Sequence, residues 1–209
     1  MVPSKTQERT IFYIDGFNLY FGITSKGWKN LKWLDINALS KNLLKSHQEI
    51  SGVNYFTARV RNSPDKEKRQ NTYLEALEIH TGIKIIYGRF QPNTIKCYRC
   101  GHSYSSPNEK MTDVNIASRM IVDAFQDKLD TAVLISGDTD LIPPIEEIKQ
   151  NFPRKKVIVA FPPGRHNVNL QNSAHASFII GRKKLSDSQL PDEITKPSGF
   201  VLQRPLEWN

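Results

Sequence analysis

Cysteine is nearly absent: the 209-residue chain has two, Cys97 and Cys100. With so few, no disulfide framework is indicated. Long hydrophobic runs are also missing, and none approaches the roughly 18 residues that a membrane-spanning helix needs. The first ten residues are polar and lack the apolar segment of a secretory signal. These absences predict a soluble, cytoplasmic protein with no membrane partner. No internal repeat is visible, and the histidines form no cluster.

What is present is a hydrophobic fraction of 38%, enough for the core of one ordinary domain. Lys and Arg outnumber Asp and Glu by 29 to 21, for a net charge of +8 and a pI near 9.5. That balance points to a polyanionic partner, with nucleic acid first. Many soluble proteins are basic, so function must be argued from a site.

The apolar run over 11–14 reads as a buried strand that ends at Asp15. Further strands are predicted over 53–60, 83–90, 130–135, 157–161 and 178–180. Helical spacing predicts helices over 35–46, 63–80, 109–125 and 141–150, the last with Pro143 and Pro144 in its first turn, where a missing N–H costs little. Alternating strands and helices imply an α/β layer fold with a mainly parallel sheet. Residues 1–185 read as one domain. Within it, 91–108, holding two prolines and both cysteines, read as an excursion. Residues 186–209, with three prolines, read as an extended tail.

Parallel sheets gather ligands beyond the carboxyl ends of their strands, where the strand order reverses. Asp15 follows the first predicted strand. Asp138 and Asp140 follow the fourth, in Leu134-Ile135-Ser136-Gly137-Asp138-Thr139-Asp140. One Asp between a strand and a helix is an ordinary N-cap. A second is surplus, and two carboxylates this close repel each other unless a cation or proton intervenes. Asp113 shares a helix face with Ile116, Ala117, Met120 and Ala124, so it projects inward from a first turn that favours negative charge. If strands one and four are neighbours, all of these acids converge. Oxygen donors without a histidine cluster suit Mg²⁺ or Mn²⁺. Basic residues around them would then hold phosphates.

Three segments occur in order: Tyr13-Ile14-Asp15-Gly16-Phe17-Asn18-Leu19, Glu109-Lys110-Met111-Thr112-Asp113-Val114, and Leu134 through Leu141. Together they resemble the NYN domain, in the LabA-like branch of the PIN-like nuclease superfamily, over about residues 10–180. The resemblance implies a PIN-like, Rossmann-like three-layer sandwich with a central sheet flanked by helices. It implies metal-dependent cleavage of RNA that leaves a 5′-phosphate and a 3′-hydroxyl. Asp15, Asp113, Asp138 and Asp140 match the family's catalytic, metal-binding acids. Asn18 matches the polar residue after the first acid. Ser136 matches a small hydroxyl residue that supports the acids or touches phosphate. Many relatives have glycine before the helix acid, where this chain has Met111-Thr112. The cysteine-containing segment lies outside the minimal domain.

Arg165, just after the fifth strand, is the expected phosphate contact. Arg59, Arg61, Lys66, Lys68 and Arg69 form a basic cluster that either tracks an RNA backbone or starts a salt-bridged helix. Cys97 and Cys100, followed by His102, supply half of a structural Zn²⁺ site, with His80 a distant further ligand. Two free thiols are the alternative. Trp28 and Trp33 suit base stacking or simple packing. The expected partner is RNA, with a second copy of the chain, a homodimer, as a further candidate. Two other functions compete with the nuclease. One is a non-catalytic RNA-binding module. The other is a phosphohydrolase using Asp15 as nucleophile, which wants a second Asp where this chain has Phe17.

Overall fold

In the computed structural model, which describes residues 7–61, 63–91, 94–105 and 108–208, six strands form the central sheet. They are β1 (Glu8–Asp15), β2 (Gln48–Thr57), β3 (Lys84–Tyr87), β4 (Thr131–Ile135), β5 (Lys156–Phe161) and β6 (Ala176–Ile179). Their order is β3-β2-β1-β4-β5-β6, and every pair is parallel. The apolar run in β1 is continuous because helices cover both of its faces.

The helices are α1 (Gly16–Ser25), α2 (Ile36–Leu43), α3 (Pro64–Thr81), α4 (Thr112–Phe125), α5 (Ile142–Asn151), α6 (Val168–Ser173) and α7 (Arg182–Ser186). Side chains alternate across a strand. Phe12 and Ile14 therefore pack with Leu19, Ile23, Leu39, Leu74 and Leu77 of α1, α2 and α3. Ile11 and Tyr13 face the other way, onto Ile116 and Met120 of α4 and Ile145 and Ile148 of α5. The result is the three-layer sandwich expected, with two cores divided by the sheet. Among the described residues, no helix is long and apolar enough to cross a membrane.

The strand expected over 53–60 runs from Gln48 to Thr57, the helix expected over 35–46 ends at Leu43, and three larger departures stand beside these. The expected strand over 83–90 stays in the sheet only to Tyr87. The chain leaves at Gly88, and Arg89–Gln91 pairs antiparallel with Asn108–Lys110. Farther out, Thr94–Lys96 pairs with Ser103–Ser105, so the excursion is a β-ribbon. Three-residue strands are too short to show a pattern in sequence. The ribbon also delays α4, which starts at Thr112 and not at 109, after Met111 adopts a left-handed φ of 76°.

The largest departure is the expected tail. Glu193–Thr195 and Val201–Gln203 form an antiparallel ribbon, and Leu206–Trp208 a 3-10 turn. Ile194, Leu202 and Trp208 are buried in the same core as Trp33 and Tyr73. Trp33 Nε1 donates to the Pro191 carbonyl at 2.7 Å. These apolar residues are spaced without period among prolines and charges, so only their distant partners reveal that they are core.

Candidate active site

Strand order reverses at the β1–β4 pair, which places a crevice beyond the carboxyl ends of these two strands. Asp15 ends β1, is buried, and caps α1. Its Oδ1 accepts the Asn18 backbone N–H at 3.0 Å. Its Oδ2 accepts Asn18 Nδ2 at 2.9 Å and Ser136 Oγ at 3.0 Å. Asn18 Oδ1 in turn accepts the Gly137 N–H at 3.2 Å, and Ser136 Oγ accepts the Asp138 N–H at 3.1 Å. Asn18 and Ser136 thus tie the two strand ends together around one carboxylate. Ser136 is fully buried, and its hydroxyl is engaged by Asp15 and by the Asp138 N–H.

Asp138 Oδ1 accepts the Asp140 N–H at 3.0 Å and caps the short turn Thr139–Leu141. Of the two acids after β4, Asp138 is therefore the cap, and Asp140 is exposed. On the same side of the sheet, α4 packs against this turn, sharing its core with Leu141. A Cβ on Gly88 would lie 2.6 Å from Thr112 Oγ1, so a side chain there would push α4 away from the sheet edge.

Asp113, partly buried in the first turn of α4, faces the other three acids. Burial, then the charges of Asp138, Asp15 and Asp140, push its carboxyl up to about 6. Burial also raises Asp15, against the bonds from Asn18 and Ser136 that favour its charged form, and Asp138 raises it further. Among the described residues, no Lys or Arg pairs with any of the four. Nor do any three of His, Cys, Asp and Glu stand close enough to hold one ion between them. The cluster is therefore open, not a closed cage. Facing carboxylates without a basic partner suit a hard divalent cation that keeps much of its water and shares its remaining sites with substrate phosphate.

Arg165 sits at the mouth. A Cβ on Gly137 would lie 2.2 Å from the Arg165 carbonyl oxygen, so only glycine lets this loop close over the β4 turn. The Arg165 side chain is exposed, with its guanidinium 5.9 Å from the Phe21 ring centre.

The other expected features scatter. Trp33 is core, and Trp28 lies beneath Arg182. Arg59 is engaged by Asn71 and Tyr87, and Arg69 by Glu207, so the basic cluster is partly paired. Cys97 and Cys100 lie at the turn of the ribbon. Backbone N–H groups of Cys100 and Arg99 face the Cys97 sulfur and hold its thiol below the ordinary value. His80 is elsewhere, 3.7 Å from Asp35. The described residues thus assemble no four-ligand zinc site around the cysteine pair.

Sequence reasoning missed an aromatic cavity of about 520 Å³ beside Gly16, lined by Tyr20, Tyr55, Tyr73 and Trp208 among others. The one available signal was the spacing of Phe17, Tyr20 and Phe21, which places them on one helical face.

The three segments that resemble the NYN domain meet in this single crevice, and the NYN domain family model matches residues 9–186. The chain belongs to the NYN domain family. It thereby stands within the PIN-like nuclease superfamily. A crystal structure of a protein of unknown function from Vibrio parahaemolyticus shares the fold of this NYN protein, with a TM-score of 0.58. That match covers 90% of this chain and 100% of the other at 22% identity. The NYN chain is also 29% identical over 238 residues to 6-hydroxy-3-succinoylpyridine 3-monooxygenase HspA of Pseudomonas putida. The alignment takes in 96% of this chain and 75% of that protein.

Proposed function

We propose that this NYN domain protein is a metal-dependent endoribonuclease. The observation that carries the reading is the convergence of Asp15, Asp113, Asp138 and Asp140, unpaired by any cation of the described chain, at the reversal of strand order. A bound Mg²⁺ or Mn²⁺ supplies Lewis acidity that activates water and offsets charge on the phosphodiester. Asp15 and Asp138 are the ligands fixed most firmly, by Asn18, Ser136 and the Asp140 N–H. Asp113 gives up its proton near pH 6 and adds charge from the start of α4. Asp140 extends the negative field to the rim. Arg165 holds a flanking phosphate at the mouth. The products are a 5′-phosphate and a 3′-hydroxyl.

The test is cleavage of single-stranded RNA in Mn²⁺ by the wild type and by Asp138→Asn. The variant should retain its fold and lose cleavage. Undiminished cleavage by the purified variant removes the assignment. RNA binding with no cleavage by the wild type leaves a non-catalytic binding module instead.

A second reading comes from HspA, whose name gives it a pyridine substrate. The aromatic cavity beside Gly16 favours a heteroaromatic small molecule here too. Conversion of 6-hydroxy-3-succinoylpyridine in air with a reduced nicotinamide as electron donor, followed by chromatography, separates this reading from the first.

A further inference from the structure

The aromatic cavity opens between α1, the end of β2, the first half of α3 and Trp208. Its lining begins at Gly16, the residue after Asp15, so it adjoins the acidic crevice. Tyr55 packs directly on Gly16. On α1, the Phe17 and Phe21 rings stack with centres 6.0 Å apart and planes 22° apart, and Tyr20 meets Phe21 edge-on at 5.5 Å. Trp208 forms the far wall, 5.8 Å from Tyr73 and 6.3 Å from Tyr20.

Two features mark this as a built surface and not a packing gap. Phe21 is 47% exposed although its ring packs beside Phe17 and Tyr20. An exposed ring at the rim of an aromatic-lined cavity leaves a face open to a planar ligand. The edge is cationic: Lys32, Lys66 and Arg69 line it. Lys32 lies 4.4 Å from the Tyr20 ring centre, which holds its charge over the aromatic wall. Arg69 is shared with Glu207, while Lys66 is exposed and forms no ion pair among the described residues. Phe21 also lies beneath Arg165, which links the cavity to the mouth of the crevice.

Aromatic walls select planar rings, and a cationic edge selects rings that carry an anion. An anionic heteroaromatic small molecule satisfies both, but in a chain of net charge +8 one ligand also extends from the cavity into the adjoining acidic crevice. That ligand is a nucleotide within a polynucleotide. We propose that this cavity receives one unstacked base of a single-stranded RNA, with neighbouring phosphates at Lys66 and Arg165. Base–aromatic stacking then supplies affinity with little dependence on base identity. A duplex hides its base faces and is excluded from the cavity. This inference rests on the nuclease reading and adds to it a base-stacking subsite beside the acidic crevice.

The experiment uses a short single-stranded RNA carrying one 2-aminopurine, bound to the full-length protein in EDTA so that no cleavage occurs. Binding should quench the 2-aminopurine fluorescence. Phe21→Ala should weaken binding about tenfold, as should an abasic site in place of the probe. Lys66→Ala should reduce the salt dependence of binding by about one charge. Phe21 is half exposed, so its variant should melt close to the wild type, and a thermal scan verifies this. Equal affinity for the abasic strand, or unchanged quenching by Phe21→Ala, overturns the proposal. So does a cavity that binds nicotinate, seen as a change in tryptophan fluorescence that Trp208→Phe abolishes, while RNA binding quenches no 2-aminopurine. Quenching without cleavage in any divalent cation supports the cavity and removes the nuclease reading. Cleavage in Mn²⁺ without quenching removes the cavity and leaves the nuclease.

Discussion

Asp113→Asn should make the metal-free protein more stable near neutral pH. The carboxyl of Asp113 ionises near 6 in the folded chain, against an ordinary 3.8. A carboxyl raised on folding holds its proton more tightly in the native state than in the unfolded one. Folding therefore loses stability as pH rises from about 4 to about 6, and the full penalty persists above that. The difference between the two values is worth at most ~3 kcal/mol. Asp113 is only partly buried, and solvent screening reduces the penalty to about 1–2 kcal/mol. Asparagine removes the penalty, but also the attraction between a first-turn carboxylate and the helix dipole, about 0.3–1 kcal/mol. Repulsion wins, by about 1 kcal/mol, and raises the melting temperature by ~2–4 °C for a chain of this size. The assay is thermal unfolding in EDTA from about pH 4 to about pH 8. The variant should gain over the wild type only above about pH 5, and the gain should level off above about pH 6. Adding Mn²⁺ should then raise the wild type more than the variant, because a ligand that binds only the folded state stabilises it in proportion to its affinity. A variant that melts lower at about pH 8, or a difference independent of pH, refutes the picture of four mutually repelling acids.

Three other substitutions probe the frame around the site. Ser136→Ala removes the bond to Asp15 and strands the Asp138 N–H. It should cost about 1–3 kcal/mol and weaken Mn²⁺ binding, read by titration against melting temperature. Gly137→Ala places a Cβ 2.2 Å from the Arg165 carbonyl, so denaturant unfolding should show a loss of about 1–3 kcal/mol. Trp208→Ala should cost about 3–5 kcal/mol by the same measurement. A loss well under 1 kcal/mol would show that the C-terminal turn adds little to the core.

Much of the fold was legible because its signals are local. The run Ile11-Phe12-Tyr13-Ile14 buries both faces of a strand, and an acid directly after it marks a strand end whatever the rest of the chain does. Pro143 and Pro144 set a helix start by missing N–H groups alone. Asp113 could be placed facing inward because helical spacing fixes which residues share its side. The identity of the four acids, and their membership in three ordered segments, was therefore in the sequence.

Their meeting was not. Asp15 and Ser136 are 121 residues apart in the chain, and their hydrogen bond exists only because β1 pairs with β4. That Asp138 and not Asp140 is the cap depends on the backbone path after Gly137, where the Arg165 loop packs closely. Trp208 looks like part of a tail until Trp33 and Tyr73 are seen to enclose it. The aromatic cavity draws walls from α1, β2, α3 and the last residues of the chain, and no window of sequence contains them. Local rules determine what each segment is; which segments touch is decided by strand order and by the burial of apolar surface, both properties of the whole chain.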